Sequence, residues 1–174
     1  IGPLERKGNI KKTKKILDKV DLITLRDERS YKTLHEIGIE NKNVKVTADP
    51  ALDLDIADEK LGKAILKNEG VPSDKKLLGV SVRKWQNLGS DFETQIANAC
   101  DYAYEKYGYY TVFLPMQSSR DTAIMQNIKR KMKHESAIIK KRYSVEGMLS
   151  IIKCFDMCIG MRLHTLIYAA INSV

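Results

Sequence analysis

The chain has 174 residues, 43% hydrophobic and 30% charged, with 10 Gly and 4 Pro, a composition that excludes disordered, collagen-like and low-complexity chains. Its 30 Lys and Arg outweigh 22 Asp and Glu, but the excess of eight is spread over both halves, so no basic arm for nucleic acid is present. No apolar run reaches the roughly 18 residues a transmembrane helix needs, because Arg162 and His164 split the most apolar stretch.

In chain order, Ile10 to Val20 places apolar residues at 10, 16, 17 and 20 among lysines, which is a helical period. Its lysines between Lys11 and Lys19 read as a solvated helix face, with a peripheral contact to an anionic membrane surface left open. Leu22 to Leu25 reads as a buried strand that ends in Arg26. Asp27 then caps a helix over Glu28 to Ile37, which Gly38 closes. Val44 to Val46 is the next strand, followed by the turn Asp49-Pro50. Ile56 to Asn68 is a helix stopped by Glu69-Gly70, and the polar stretch Pro72 to Lys76 reads as a linker, which places a domain boundary near residues 70–76.

Beyond that boundary strands and helices alternate: strand Leu77 to Arg83, helix Phe92 to Tyr107 ended by Gly108, strand Tyr110 to Leu114, helix Thr122 to Lys133. Strand Ala137 to Lys141, helix Val145 to Phe155, strand Asp156 to Gly160 and a helix from Leu163 complete the series. The alternation predicts parallel βα units, with residues 73–174 forming a four-stranded half-domain.

In parallel α/β sheets ligands collect at the carboxyl ends of the strands, where helix N-termini direct positive dipoles. That rule selects Arg26, Asp49, Arg83, Met116-Gln117, Arg142 and the run Arg162 to His164. Arginine there is suited to phosphate or carboxylate through paired, charge-assisted bonds, so an anionic ligand is expected. Gly160-Met161-Arg162-Leu163-His164 is the sharpest local signal: Gly lets the backbone approach a ligand, Arg162 supplies charge, and His164 is either an acid or base or a residue that packs the helix start. Trp85, the only tryptophan, follows Arg83 and is either a packing anchor or a cleft wall.

The three cysteines, Cys100, Cys154 and Cys158, form no even framework, which points to a reducing, cytoplasmic compartment. They have no histidine partners at ligand spacing, so no metal is expected. The tyrosines Tyr102, Tyr104, Tyr107, Tyr109 and Tyr110 read as packing or surface residues. No signal peptide and no Met open the chain, and a fragment of a longer protein is expected.

The phrases Leu-Ile-Thr-Leu-Arg-Asp-Glu-Arg-Ser at 22–30, Val-Thr-Ala-Asp-Pro-Ala-Leu at 46–52, Leu-Gly-Val-Ser-Val-Arg-Lys-Trp at 78–85, Phe-Leu-Pro-Met-Gln at 113–117 and Gly-Met-Arg-Leu-His-Thr-Leu-Ile-Tyr-Ala-Ala at 160–170 resemble, in this order, the polysaccharide pyruvyl transferases. The resemblance implies a GT-B-like α/β architecture of two Rossmann-type domains, each with a parallel sheet and helices on both faces. Residues 1–72 would be the tail of the N-terminal domain and residues 73–174 an incomplete C-terminal domain that holds the donor, phosphoenolpyruvate. The family's Arg-Leu-His motif carries over onto Arg162, Leu163 and His164, and its strand-end arginine onto Arg83. Arg26 and Gln117 complete the expected donor contacts. The resemblance also implies a sugar acceptor, free or lipid-linked, a cytoplasmic location at the inner face of the membrane, no cofactor, and family segments beyond both ends that carry acceptor contacts. In the chemistry it implies, arginines and a helix N-terminus stabilise the departing phosphate and His164 is the general acid.

Two alternatives share the residues. A GT-B glycosyltransferase or epimerase using a nucleotide sugar would want a carboxylate pair for the ribose, for which Asp156 and Glu146 are poorly placed. A non-catalytic anion-binding module would lose Arg162 and His164 without chemical consequence.

Overall fold

The computed structural model describes residues 4–85 and 89–174, and the chain forms two compact units, residues 1–53 and 54–174. In the first, helix α1 (Lys7–Leu17), strand β1 (Ile23–Leu25), helix α2 (Glu28–Glu36) and strand β2 (Val44–Val46) lead to a 3-10 turn over Pro50–Asp53. β1 and β2 pair in parallel with Ile23 opposite Val44. Asp27 caps α2 by accepting from the Ser30 N–H, and Gly38, at φ +76°, ends it in the left-handed conformation glycine tolerates.

The second unit runs α3 (Glu59–Asn68), β3 (Lys76–Ser81), α4 (Phe92–Tyr107), β4 (Tyr109–Phe113), α5 (Ser118–Lys131), β5 (Ser136–Ile138), α6 (Val145–Lys153), β6 (Met157–Gly160) and α7 (Leu163–Ile171). All four strands are parallel, in the order β5-β4-β3-β6. The period of two along β3 and the residue after it sends Leu78, Val80 and Val82 to one face, where they pack with Ala97, Cys100, Met125 and Ile128 of α4 and α5. Gly79 faces the other way, and a Cβ there would lie 2.1 Å from the Phe155 ring, so the chain after α6 covers that face. Helices therefore flank the sheet on both sides, as the near-continuous burial of β3 requires.

The division of the chain differs from the linker expected at 70–76. It falls after Asp53, because α3 packs on α6 so closely that a Cβ at Gly62 would sit 1.9 Å from the Ser150 carbonyl oxygen. Ile65, Leu66 and Val71 are buried, and the Glu69 carboxylate accepts from the Lys140 and Lys141 N–H groups and the Tyr143 hydroxyl. The polarity of 72–76 marks a surface turn inside the unit rather than a joint between units. Three helix starts also shift, the first being α1, which begins at Lys7 rather than Ile10. α3 begins at Glu59 behind its cap Asp58, leaving Ile56 exposed, and α5 begins at Ser118 rather than Thr122.

The three thiols are free, and burial pushes each up to about 11. Tyr104 stacks on His134 at 4.2 Å, while Tyr102 and Tyr107, both exposed, meet edge to face at 6.1 Å, so these tyrosines pair with neighbouring rings along the surface of α4. Among the described residues no helix is long and apolar enough to cross a membrane.

Candidate functional site

In the second unit the chain leaves β3 for α4, β4 and β5 on one side, then returns to add β6 on the other side of β3. The strand order thus reverses between β3 and β6, and a parallel sheet opens a crevice at its carboxyl end where such a reversal occurs. Arg83 stands two residues beyond the end of β3, and Arg162 two residues beyond the end of β6. Together with Gln117 and His164 they line a cleft of about 610 Å³, whose remaining wall is Met116, Met161, Leu163 and Tyr168.

Local packing brings the β6 end and α7 together. The Met161 N–H donates to the Ser81 carbonyl at 2.8 Å, extending the β3–β6 pairing by one bond. Gly160 lies against α7, where a Cβ would come within 2.9 Å of Leu166 and 3.2 Å of Thr165. Only glycine lets the first turn of α7 descend this far onto the strand. Arg162 is the N-cap, with an extended backbone and no side-chain cap bond, so its guanidinium is free to reach elsewhere.

It reaches across the cleft to α5. Arg162 Nε donates to Asp121 Oδ2 at 2.9 Å, and Nη2 donates to Asp121 Oδ1 at 2.6 Å and to Gln117 Oε1 at 3.2 Å. Asp121 is fully buried in the first turn of α5, and its Oδ2 also accepts the Gln117 N–H at 2.8 Å. This fork engages one edge of the guanidinium and turns Nη1 away from the pair.

Arg83 is held differently. Its guanidinium lies 4.1 Å from the centre of the Trp85 ring, and its buried Nε has no hydrogen-bond partner among the described residues. A planar cation braced on an indole keeps its donors available while losing little freedom on binding. His164 occupies the first turn of α7, exposed, with its ring edge-on to Tyr168 at 6.2 Å. The cleft therefore combines two arginines, an imidazole and the N-termini of α5 and α7, an arrangement suited to a ligand with more than one negative charge.

The sequence profile of the polysaccharide pyruvyl transferase family matches residues 1–174. The chain belongs to that family. A solved structure described as the glycosyl transferase family 9 from Veillonella parvula DSM 2008 is 12% identical with a TM-score of 0.53, covering 91% of this chain and 44% of that one. The likeness shows a shared GT-B-like α/β fold, and the chain spans less than half of that structure's length. Among curated proteins, none matches.

Five of the six expected site residues, Arg83, Gln117, Arg162, Leu163 and His164, line one cleft. Arg26 stands in the first unit instead, its guanidinium paired with Asp27 and Asp49 at 3.3 Å each, whereas the second unit builds the cleft from its own residues. Arg142 is exposed past β5 and is not among the described residues lining the cleft. Asp121 is the residue that sequence reasoning missed. Its partner Arg162 lies 41 residues away, beyond any local signal. Among the described residues no cluster of His, Cys, Asp and Glu could hold a metal ion.

Proposed function

We propose that the second unit holds the donor phosphoenolpyruvate for transfer of its pyruvyl group to sugar hydroxyls of a cell-surface polysaccharide or its lipid-linked precursor. The observation that carries this reading is the cleft between the ends of β3 and β6, where Arg83 and Arg162 face one space from neighbouring strands. Phosphoenolpyruvate carries a phosphate and a carboxylate on the same carbon framework, and two guanidiniums with two helix N-termini match that pair of charges.

In the proposed reaction His164 gives a proton to the methylene carbon of the donor, and a sugar hydroxyl oxygen bonds to the neighbouring carbon. The bond from that carbon to the phosphate oxygen breaks, and the second hydroxyl closes the ketal. Of the two protons the hydroxyls release, one restores His164 and the other leaves on phosphate. Charge grows on the phosphate oxygen as its bond breaks, and Arg83 and Arg162 are the groups that stabilise it; one such prepositioned donor is worth roughly 3 kcal/mol. Imidazole exchanges protons near neutral pH, which suits it to this acid role, and such catalysis contributes roughly 10²–10⁴ in rate. The acceptor then approaches from the cytoplasm at the inner face of the membrane, and the first unit represents the N-terminal domain.

Thermal unfolding tests the donor assignment. Phosphoenolpyruvate raises the melting temperature more than inorganic phosphate at equal concentration, because its carboxylate adds a second charged contact, and Arg162→Ala removes the difference. Equal protection by both anions, unchanged in Arg162→Ala, would show a surface anion patch rather than a donor site.

A further inference from the structure

Three hydrogen-bond donors converge on the Asp121 carboxylate: Nε and Nη2 of Arg162 at 2.9 and 2.6 Å, and the Gln117 N–H at 2.8 Å. The carboxylate is fully buried, while Arg162 keeps a fifth of its side-chain surface. Asp121 belongs to the loop and helix that follow β4, and Arg162 to the loop that follows β6, so the pair ties together two walls of the cleft. An arginine left to itself at a cleft mouth samples many rotamers and turns its whole fork to any anion. Here the Nε–Nη2 edge is already engaged, and of the three nitrogens only Nη1 has no protein partner among the described residues. Arg83 has the opposite arrangement, stacked on Trp85 with Nε unengaged.

We propose that Asp121 is the positioning residue of the cleft: its buried carboxylate fixes Arg162 so that Nη1, and not the fork, meets the donor. The proposal rests on the donor reading given above. Asp121 touches no substrate and acts through Arg162. It also offsets the charge of Arg162, so Arg83 supplies the unneutralised arginine charge of the site.

The substitution Asp121→Asn probes this directly. An amide accepts only through its one oxygen, so whichever way it turns, an N–H of the amide faces the N–H of Gln117 or of Arg162. Arg162 loses its fixed orientation, and the affinity for phosphoenolpyruvate measured by calorimetry falls about tenfold or more, the range of a lost charged hydrogen bond. In an Arg162→Ala background the same substitution changes affinity less than about twofold, since a residue that acts through another has nothing left to act on. Equal losses in both backgrounds would overturn the proposal by making Asp121 a general structural residue. Affinity in Asp121→Asn equal to or above that of the unsubstituted protein would overturn it too.

Unfolding temperatures of the same four proteins give a readout independent of any ligand. Arg162→Ala strands a buried carboxylate and lowers the melting temperature, and adding Asp121→Asn restores much of it, because the neutral amide then needs only the Gln117 N–H. Additive losses would overturn the pinning of Arg162 by Asp121 even if Asp121→Asn alone fails to fold. Absence of phosphoenolpyruvate binding by the unsubstituted protein would overturn the donor reading and this proposal's donor clause, while the recovery of stability would still uphold the pinning.

Discussion

Gly62→Ala tests where the second unit begins. Gly62 lies inside α3, and a Cβ there would stand 1.9 Å from the Ser150 carbonyl oxygen, 2.6 Å from its carbonyl carbon and 2.7 Å from Cys154 Sγ. Side-chain carbons come no closer than 3.0 Å to such atoms, so α3 must move at least 1.1 Å off α6. The obstacle is backbone and cannot rotate aside. Moving the helix loosens Ile65 and Leu66 from their buried seats, and a gap of about 1 Å forfeits a quarter to a half of each dispersion contact. Overpacking of this kind costs about 3 kcal/mol, the upper end of its usual range. Alanine recovers about 1 kcal/mol through helix propensity, leaving a net loss of about 2 kcal/mol. For a chain of this length that lowers the melting temperature by about 4–8 °C, which circular dichroism resolves. Gly8→Ala in α1 is the comparison: among the described residues nothing lies within 4 Å of its Cβ position, so the same change in a helix leaves stability unaltered or slightly raised. A Gly62→Ala protein that melts at or above the unsubstituted protein would refute the packing of α3 on α6 and return the boundary to residues 70–76.

On the proposed mechanism His164→Gln lowers formation of pyruvylated sugar by roughly 10²-fold or more, with donor affinity changed far less; near-normal turnover per folded molecule would leave His164 a binding or packing role. Burial raises the pKa of Glu69, but the Lys140 N–H, the Tyr143 hydroxyl and the Lys141 N–H outweigh it and hold the carboxyl below its usual range. Its stabilisation is therefore present at neutral pH and lost as pH falls through that lowered value, so Glu69→Gln flattens the acid limb of a melting-temperature profile. Iodoacetamide labels the half-buried Cys154 and Cys158 slowly at neutral pH, because desolvation pushes both thiols up to about 11, and a thiolate population about a hundredfold below that of an unhindered cysteine follows; labelling at the rate of an unhindered thiol would contradict that desolvation.

Much of the second unit was legible because its signals are local. The apolar run from Leu77 reads as a strand and is one, buried on both faces, and Gly108 ends α4 at φ +73°, where other residues are strained. The cleft residues carry a local signal of the same kind: Arg83 and Arg162 stand two residues, and Gln117 four residues, beyond the ends of their strands, so the parallel order of the sheet delivers them to one edge. What the residues hid was non-local. The polar stretch Pro72 to Lys76 resembles a linker, and only the glycine-mediated crossing of α3 on α6 shows that it is internal. Asp121 is one acidic residue in a polar helix start, and its meaning depends on Arg162 from another loop. Arg26 shares the strand-end signal of the other arginines, but two neighbouring carboxylates engage it.

A crystal structure of the protein soaked with phosphoenolpyruvate tests the central claim most directly. The expected result is donor density in the cleft beyond β3 and β6, with one anionic group on the Arg83 guanidinium, the other on Nη1 of Arg162, and the methylene carbon turned toward His164. Donor bound elsewhere on the chain, or a cleft that stays empty at concentrations that saturate thermal protection, would contradict it.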